Sequence, residues 1–214
     1  VLYKVLGVPV PGSATTSLDV ASWPVTNIFC FVLFGLCIVL ALVLGATPKR
    51  YWALIKDSGY GADFAQKYGN AVFLMNVGVY GLFIVLYYNV IGAAFNAVTF
   101  GCIFCMLSCA CSGSHPRNVL PIMLGYVAMS FLMQWLCVHV LGLEFAQHIN
   151  AQAIVVGLCF ANALSPISGK YGWGAGVLAG AAHYLLVTSV PDLHGGFCLY
   201  NGGFTAGFIC MIFV

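Results

Sequence analysis

Long apolar stretches, separated by short polar segments, run through most of the chain. Seven of them are candidates for membrane-spanning helices, which need about 20 apolar residues: 25–45, 70–92, 95–112, 119–141, 150–164, 173–190 and 201–214. The pattern predicts an all-α, polytopic bundle of transmembrane helices that forms a single domain over residues 1–214. The stretch 150–164 is too short to cross comfortably, so we expect it to be tilted, re-entrant or half-spanning.

Composition points the same way. Hydrophobic residues make up 62% of the chain and charged residues 6%, whereas soluble domains carry about 25% charged residues. The expected partner is therefore the lipid bilayer. A net charge of +2 without a basic stripe argues against a nucleic-acid partner. Since the chain begins without Met and ends inside an apolar run, we expect it to be a piece of a longer membrane protein.

The basic residues predict an orientation. Four of the seven Lys and Arg residues lie in the loop 46–69, and cytoplasmic loops are enriched in such residues. If this loop is cytoplasmic and every segment crosses, Arg117 and Lys170 are cytoplasmic too, and only Lys4 lies outside. We therefore expect the loop 46–69 to be cytoplasmic and the N-terminal region to lie outside.

Two short repeats bear on the topology. The sequence at 61–66 resembles that at 142–147, and the two copies would lie on opposite sides of the membrane, as in the inverted repeats of transporters. A second pair, 95–97 and 200–202, would run in one direction and argues against a simple inverted repeat. The sequence leaves both interpretations open.

The segment 162–174 is the first candidate site. Pro166 removes a backbone donor and disfavours helix at Ser165, and three glycines follow within eight residues. Breaks of this kind beside a short segment are typical of transporter binding regions, where Ser165 and Ser168 would face a solute. The alternative is a simple cytoplasmic turn with Lys170 as a topology charge.

Three further polar residues are candidates for a solute pathway. His183 lies in an apolar run, where a histidine tends to face a bundle interior or a wet cavity, or else bonds a neighbouring helix. Gly176 and Gly180 precede it with the spacing that lets another helix pack closely. His194 and Asn201 lie in a glycine-rich stretch that could line a pore mouth, although Asn201 could simply cap the last helix.

The sequence gives little support for an enzyme. Cys102, Cys105 and Cys109 share a helical face, but a cysteine-rich membrane helix explains them better than a metal site. The sequence contains no paired carboxylates, nucleophile elbow, phosphate loop or dinucleotide fingerprint. We therefore predict no catalytic residues, no metal and no cofactor.

The motifs LSPISGKYGW at 164–173 and HGGFCLYNGGFTAGF at 194–208 resemble those of a bacterial multi-pass membrane family of unknown function. The segment from His115 to Asn118 fits it as well. The resemblance covers the second half of the chain well and the first half loosely, and it implies no activity. The short helices and repeats are also similar to those of small-solute channels such as urea transporters, a resemblance of fold alone.

The leading hypothesis is a transporter or channel of the bacterial inner membrane for a small neutral or weakly polar solute, because buried charges are few. Its pathway would be lined by His183, Ser165, Ser168, His194 and Asn201. The alternatives are a membrane scaffold or assembly subunit, in which these residues join helices, and an intramembrane enzyme completed by other parts of the chain. Assembly into a homo-oligomer stays open.

Overall fold

A computed structural model describes residues 24–194 and 201–213, except for the side chains of residues 191–194. Most of the described residues are helical, and none of them forms a strand. The helices are α1 (Pro24–Val43), α2 (Pro48–Ile55), α3 (Phe64–Tyr68), α4 (Asn70–Val90), α5 (Ala97–Ser108), α6 (Pro116–Trp135), α7 (Gln152–Ala161), α8 (Ser165–Tyr171), α9 (Trp173–His194) and α10 (Asn201–Ile212).

Five apolar helical segments of the described chain are long enough to cross a membrane: Pro24–Val43, Asn70–Val90, Pro116–Val140, Gln152–Tyr171 and Trp173–Val190. The third consists of α6 and the π-helical turn Leu136–Val140 that continues it. Two further apolar helices, α5 and α10, have 12 described residues each, about 18 Å of helix. The prediction of an all-helical membrane bundle is confirmed, with five full-length segments among the seven candidates.

The expectation of a short segment at 150–164 is wrong. Helix α7 passes through a single 3-10 turn, Asn162–Leu164, directly into α8, so the combined segment reaches Tyr171. Pro166 does not break it, because it occupies the first turn of α8, where a missing N–H group costs no helical hydrogen bond. The chain turns at Gly172, whose φ of +91° favours glycine.

Helices α6 and α9 pack closely and in parallel. A Cβ atom on Gly180 would collide with the carbonyl oxygen of Ile122, and one on Gly125 with that of Val177. The prediction that Gly176 and Gly180 admit a close neighbour is confirmed. Helices α1 and α4 pack antiparallel, with Ile38 against Gly78 at one end and an Asn27–Asn89 hydrogen bond of 2.7 Å at the other.

Helices α5 and α10 lie beside different parts of the segment Gln152–Tyr171. Asn96, which caps α5, donates to Oε1 of Gln152 at 2.7 Å, and Asn162 donates to the carbonyl of Met106 at 3.2 Å. Helix α5 thus runs beside α7 and leads into the turn 109–115. The described part of α10 begins with Gly202 against Phe160 and ends where the Tyr171 hydroxyl donates to the carbonyl of Phe213 at 2.7 Å.

The end of the bundle formed by residues 44–69, the turn 109–115 and Gly172 is called the basic end. Backbone segments from distant parts of the chain are in close contact at this end. Gly59 lies against Gly113, and Gly169 lies against Ser58, with no room for a Cβ atom on any of these glycines. The Lys170 ammonium lies 3.8 Å from the centre of the Tyr60 ring. Six of the seven basic residues of the sequence lie at this end: Lys49, Arg50, Lys56, Lys67, Arg117 and Lys170.

Candidate functional site

A cavity of about 140 Å³ opens at the basic end, between the end of α2, the start of α6 and the turn from α8 to α9. Its wall contains Ser168, Gly169, Gly172 and Trp173 from that turn. These residues belong to the segment 162–174 that the sequence singles out. The remaining wall comes from two segments far away in sequence, 55–57 and 115–118.

The two serines of α8 have different surroundings. The Ser165 hydroxyl is fully buried and lies 2.7 Å from the hydroxyl of Ser114. Ser168 is also buried and lines the cavity, but its hydroxyl has no hydrogen-bond partner. Burying a hydroxyl without water or a protein partner costs free energy. The Ser168 hydroxyl therefore has an unused hydrogen-bonding capacity within the wall of the cavity.

Behind the cavity, neutral polar groups continue into the bundle. The Asn76 amide of α4 donates to the carbonyl of Ser114 at 2.9 Å, while its Oδ1 atom is buried without a partner. Nearby, the Tyr80 hydroxyl donates to Oδ1 of Asn162 in a short hydrogen bond. We call the set Ser168, Ser165, Ser114, Asn76, Asn162 and Tyr80 the polar line.

The charges of the cavity wall are Lys56, Arg117 and Asp57. Asp57 is engaged elsewhere: its Oδ2 atom accepts from Lys67 at 2.6 Å and from the Tyr68 hydroxyl at 2.7 Å, and its Oδ1 atom accepts from the N–H of Gly59 at 3.0 Å. Burial alone would raise the pKa of Asp57, but these hydrogen bonds and the charge of Lys67 together lower it. The positive charges of Lys56 and Arg117 therefore dominate the wall.

His115 joins the loop to the bundle. Its Nε2 atom lies 2.9 Å from the carbonyl of Asp57, and its ring stacks on Phe64 with 6.0 Å between centroids. Burial lowers its pKa, against the opposing influence of the Asp57 carbonyl, so the imidazole is neutral at neutral pH and Nε2–H donates. Asn118 accepts from the His115 N–H at 2.9 Å, which fixes the start of α6.

His183 lies apart from this cavity. It is fully buried in the middle of α9, with Nε2 3.0 Å from the carbonyl of Gly202 and 3.0 Å from the Thr205 hydroxyl. Its ring centroid lies 5.9 Å from that of Tyr126. These contacts join α9 to α10 and α6, and Nδ1 is buried without a partner.

The structure thus divides the predicted residues into groups. Ser165 and Ser168 lie together at the basic end, while Asn201, the first residue of α10, lies beside the Gly202 that His183 contacts. His194 ends α9, and its side chain lies outside the described residues. The sequence did not single out Asn76, Ser114, Lys56 or Arg117 as site residues; an asparagine in the interior of an apolar run was the available signal for Asn76.

Such a site can hydrogen-bond a small polar molecule and attract negative charge. In the described part of the chain, no group of three or more His, Cys, Asp or Glu side chains lies together as a metal site would require.

Comparison with known proteins identifies the family of the chain. A family model described as "Protein of unknown function (DUF1576)" matches residues 45–214. No curated protein and no solved structure matches the chain. The match confirms the resemblance to a family of unknown function and extends it over most of the first half of the chain. With some four-fifths of its length matched, the chain belongs to the DUF1576 family.

Proposed function

We propose that this protein is a transporter or channel for a small neutral or weakly polar solute, and not an enzyme. The observation that carries the proposal is the polar line with its two unpartnered buried atoms, Oγ of Ser168 and Oδ1 of Asn76. Each such atom costs about 1–3 kcal/mol when nothing bonds it. Water or a solute that visits the line would remove that cost.

The character of the line supports a neutral solute. The side chains of the polar line are Asn, Ser and Tyr, without any Lys, Arg, Asp or Glu. Hydroxyl and amide groups both donate and accept hydrogen bonds, so they suit a solute that does the same. A charged solute would pass this interior without a counter-charge, at high cost.

The helix arrangement supports the proposal as well. The segment Gln152–Tyr171 changes from α to 3-10 geometry at Asn162–Leu164. Transporters commonly form their midplane sites from discontinuous helices. Asn162 and Ser165, at this change in geometry, both belong to the polar line.

We further propose that the basic end is cytoplasmic and that the membrane is a bacterial inner membrane. The six basic residues at one end of the bundle support this orientation through the positive-inside rule. The solute would then enter the cytoplasm past Ser168.

A specific observation favours a second candidate, a non-transporting scaffold. His183 contacts α10 and α6 and lies outside the wall of the cavity at the basic end. It therefore acts as a helix-joining residue, as a scaffold would use it. If Ser165 and Asn76 act in the same way, no pathway is needed.

Water accessibility separates the two candidates. In a variant without native cysteines, single cysteines at 168, 165 and 76 are exposed to a membrane-impermeant thiol reagent from the basic end. Val72→Cys is the matched control, since Val72 lies one turn before Asn76 on α4 but is buried in an apolar cluster. A wet pathway labels position 76 and spares position 72.

Uptake is the second readout. Proteoliposomes containing the protein are tested for swelling in small neutral solutes such as urea and glycerol, with Ser168→Ala, Asn76→Ala and His183→Ala as variants. Slower swelling with the first two supports the proposal. Two results would contradict transport and favour the scaffold. One is that cysteines at 76, 165 and 168 do not react from either side of the membrane. The other is that uptake is unchanged in every variant that is expressed normally.

A further inference from the structure

The cavity at the basic end differs in charge from the polar line behind it. The interior line is neutral, whereas the cavity wall carries Lys56 and Arg117. The wall's one carboxylate, Asp57, has both oxygens occupied by Lys67, Tyr68 and the N–H of Gly59. A solute in the cavity therefore meets the positive charges of Arg117 and of Lys56, whose ammonium lies 5.5 Å from the centre of the Trp52 ring, and a compensated negative charge.

Two long helices begin at this cavity. Arg117 and Asn118 of the first turn of α6 line it, and so do Gly172 and Trp173 at the start of α9. The first N–H groups of a helix lack partners within the helix, and the helix dipole gives that end a partial positive charge. Oxyanions bind such helix starts readily.

An independent observation points to a ligand here. Ser168 has 3% of its surface exposed, lines the cavity and has no hydrogen-bond partner for its hydroxyl. Helix α9 packs closely against this side chain, since a Cβ atom on Gly176 would lie 2.8 Å from the Ser168 hydroxyl oxygen. An oxyanion oxygen in the cavity would accept its hydrogen bond.

We propose that this cavity binds a small oxyanion of the phosphate type, held by Arg117, Lys56, the Ser168 hydroxyl and the first turns of α6 and α9. A volume of about 140 Å³ exceeds the space that a single water molecule needs by several fold, and a phosphate group fits within it. Arginine matches phosphate oxygens with two parallel hydrogen bonds. The inference does not depend on transport.

The phosphate has two sources with the same chemistry, a free ion and a phospholipid headgroup. Trp173 lies in the wall and is half-exposed, and tryptophan is enriched at the headgroup level of membranes. The experiment therefore tests both sources on the whole protein.

The purified protein in maltoside micelles, which contain no phosphate, is titrated with inorganic phosphate, and its thermal stability and binding heat are measured at constant ionic strength. A parallel series adds phosphatidylglycerol to the micelles. We expect a saturable rise in melting temperature in at least one series. Arg117→Gln should weaken that binding at least about tenfold, because it removes a charge-assisted pair.

Two variants make the result specific. Ser168→Ala should weaken binding several-fold and leave the ligand-free melting temperature unchanged or higher, since it removes a hydroxyl that has no partner. Lys49→Gln removes one positive charge at the same end outside the cavity wall and should bind as the parent does. Saturation with free phosphate assigns a soluble ion, and saturation with phosphatidylglycerol alone assigns a lipid headgroup.

Three results would overturn the proposal. One is the absence of a saturable shift in both series. Another is a phosphate response that matches chloride at equal ionic strength. The third is an equal loss of binding in Arg117→Gln and Lys49→Gln, which would indicate general charge attraction in place of a site.

Discussion

Nε2 of His183, halfway along α9, lies 3.0 Å from the carbonyl oxygen of Gly202 in the first turn of α10. A carbonyl can only accept, so the imidazole carries its proton on Nε2 and donates. The bond ties the first described turn of α10 to the middle of α9. It is a positional constraint between two helices whose connecting residues, 195–200, lie outside the described chain.

Removal of this imidazole should loosen α10. His183→Ala leaves the buried Gly202 carbonyl without its His183 donor and opens a void beside Tyr126, so we expect a loss of about 1–3 kcal/mol in unfolding free energy. Thermal melting in detergent measures it. His139→Ala, at an exposed histidine, is the control. Equal melting temperatures for the two variants would contradict the anchoring role.

The contact between α6 and α9 should tolerate no side chain at Gly180. Gly180→Ala places a methyl group against the carbonyl of Ile122, and since both partners are backbone atoms the helices must separate. We expect a destabilisation of about 1–3 kcal/mol. The control is Gly174→Ala on the same helix, where the methyl group meets open space and helix propensity favours alanine by up to about 1 kcal/mol.

The orientation is open to a direct test. Tyr60, at the basic end, and Leu143, at the opposite end, have 53% and 58% of their surfaces exposed. Single cysteines at these positions in a cysteine-free variant should react with an impermeant thiol reagent from opposite sides of the membrane. Position 60 should react from the cytoplasmic side. Reaction of both from one side would refute the bundle's two-ended arrangement, and exchanged sides would refute the orientation alone.

Stability should fall in acid because of Asp57. Its pKa in the folded protein lies below the unfolded value of about 3.9. Its contribution is therefore fully present above the unfolded pKa and is lost as pH falls through the folded one. Melting temperature measured from about pH 6 to pH 3 should decline less in Asp57→Asn than in the parent. Lys67→Met, which removes the paired charge, should reduce the slope too; an unchanged slope in both would contradict the assignment.

The sequence predicts the bundle well, because lipid exposure leaves a one-dimensional signal. Each apolar run marks a helix, the basic residues mark one end, and Gly176 and Gly180 mark the face that meets α6. The error at 150–164 has a local cause. Pro166 suggests a break in the helix. In the first turn of α8, however, proline costs no helical hydrogen bond, so the segment continues to Tyr171.

The site is less predictable, because its members come from distant segments. Ser165 and Ser168 stand in a conspicuous motif, but Ser114 precedes Ser165 by 51 residues and Asn76 precedes Ser114 by 38. Lys56 and Arg117 meet in one cavity wall only because the loop backbone at Gly59 touches that at Gly113. Pairings set by close backbone approach leave no periodic trace in a single sequence.

Helices α5 and α10 give the long segment Gln152–Tyr171 different surroundings along its length. From Gln152 to Asn162 it lies beside α5, which contacts it through Asn96 and Met106. From Phe160 to Tyr171 it lies beside the described part of α10, from Gly202 to Phe213. The neighbour of this segment therefore changes near Asn162, where its own geometry changes from α to 3-10.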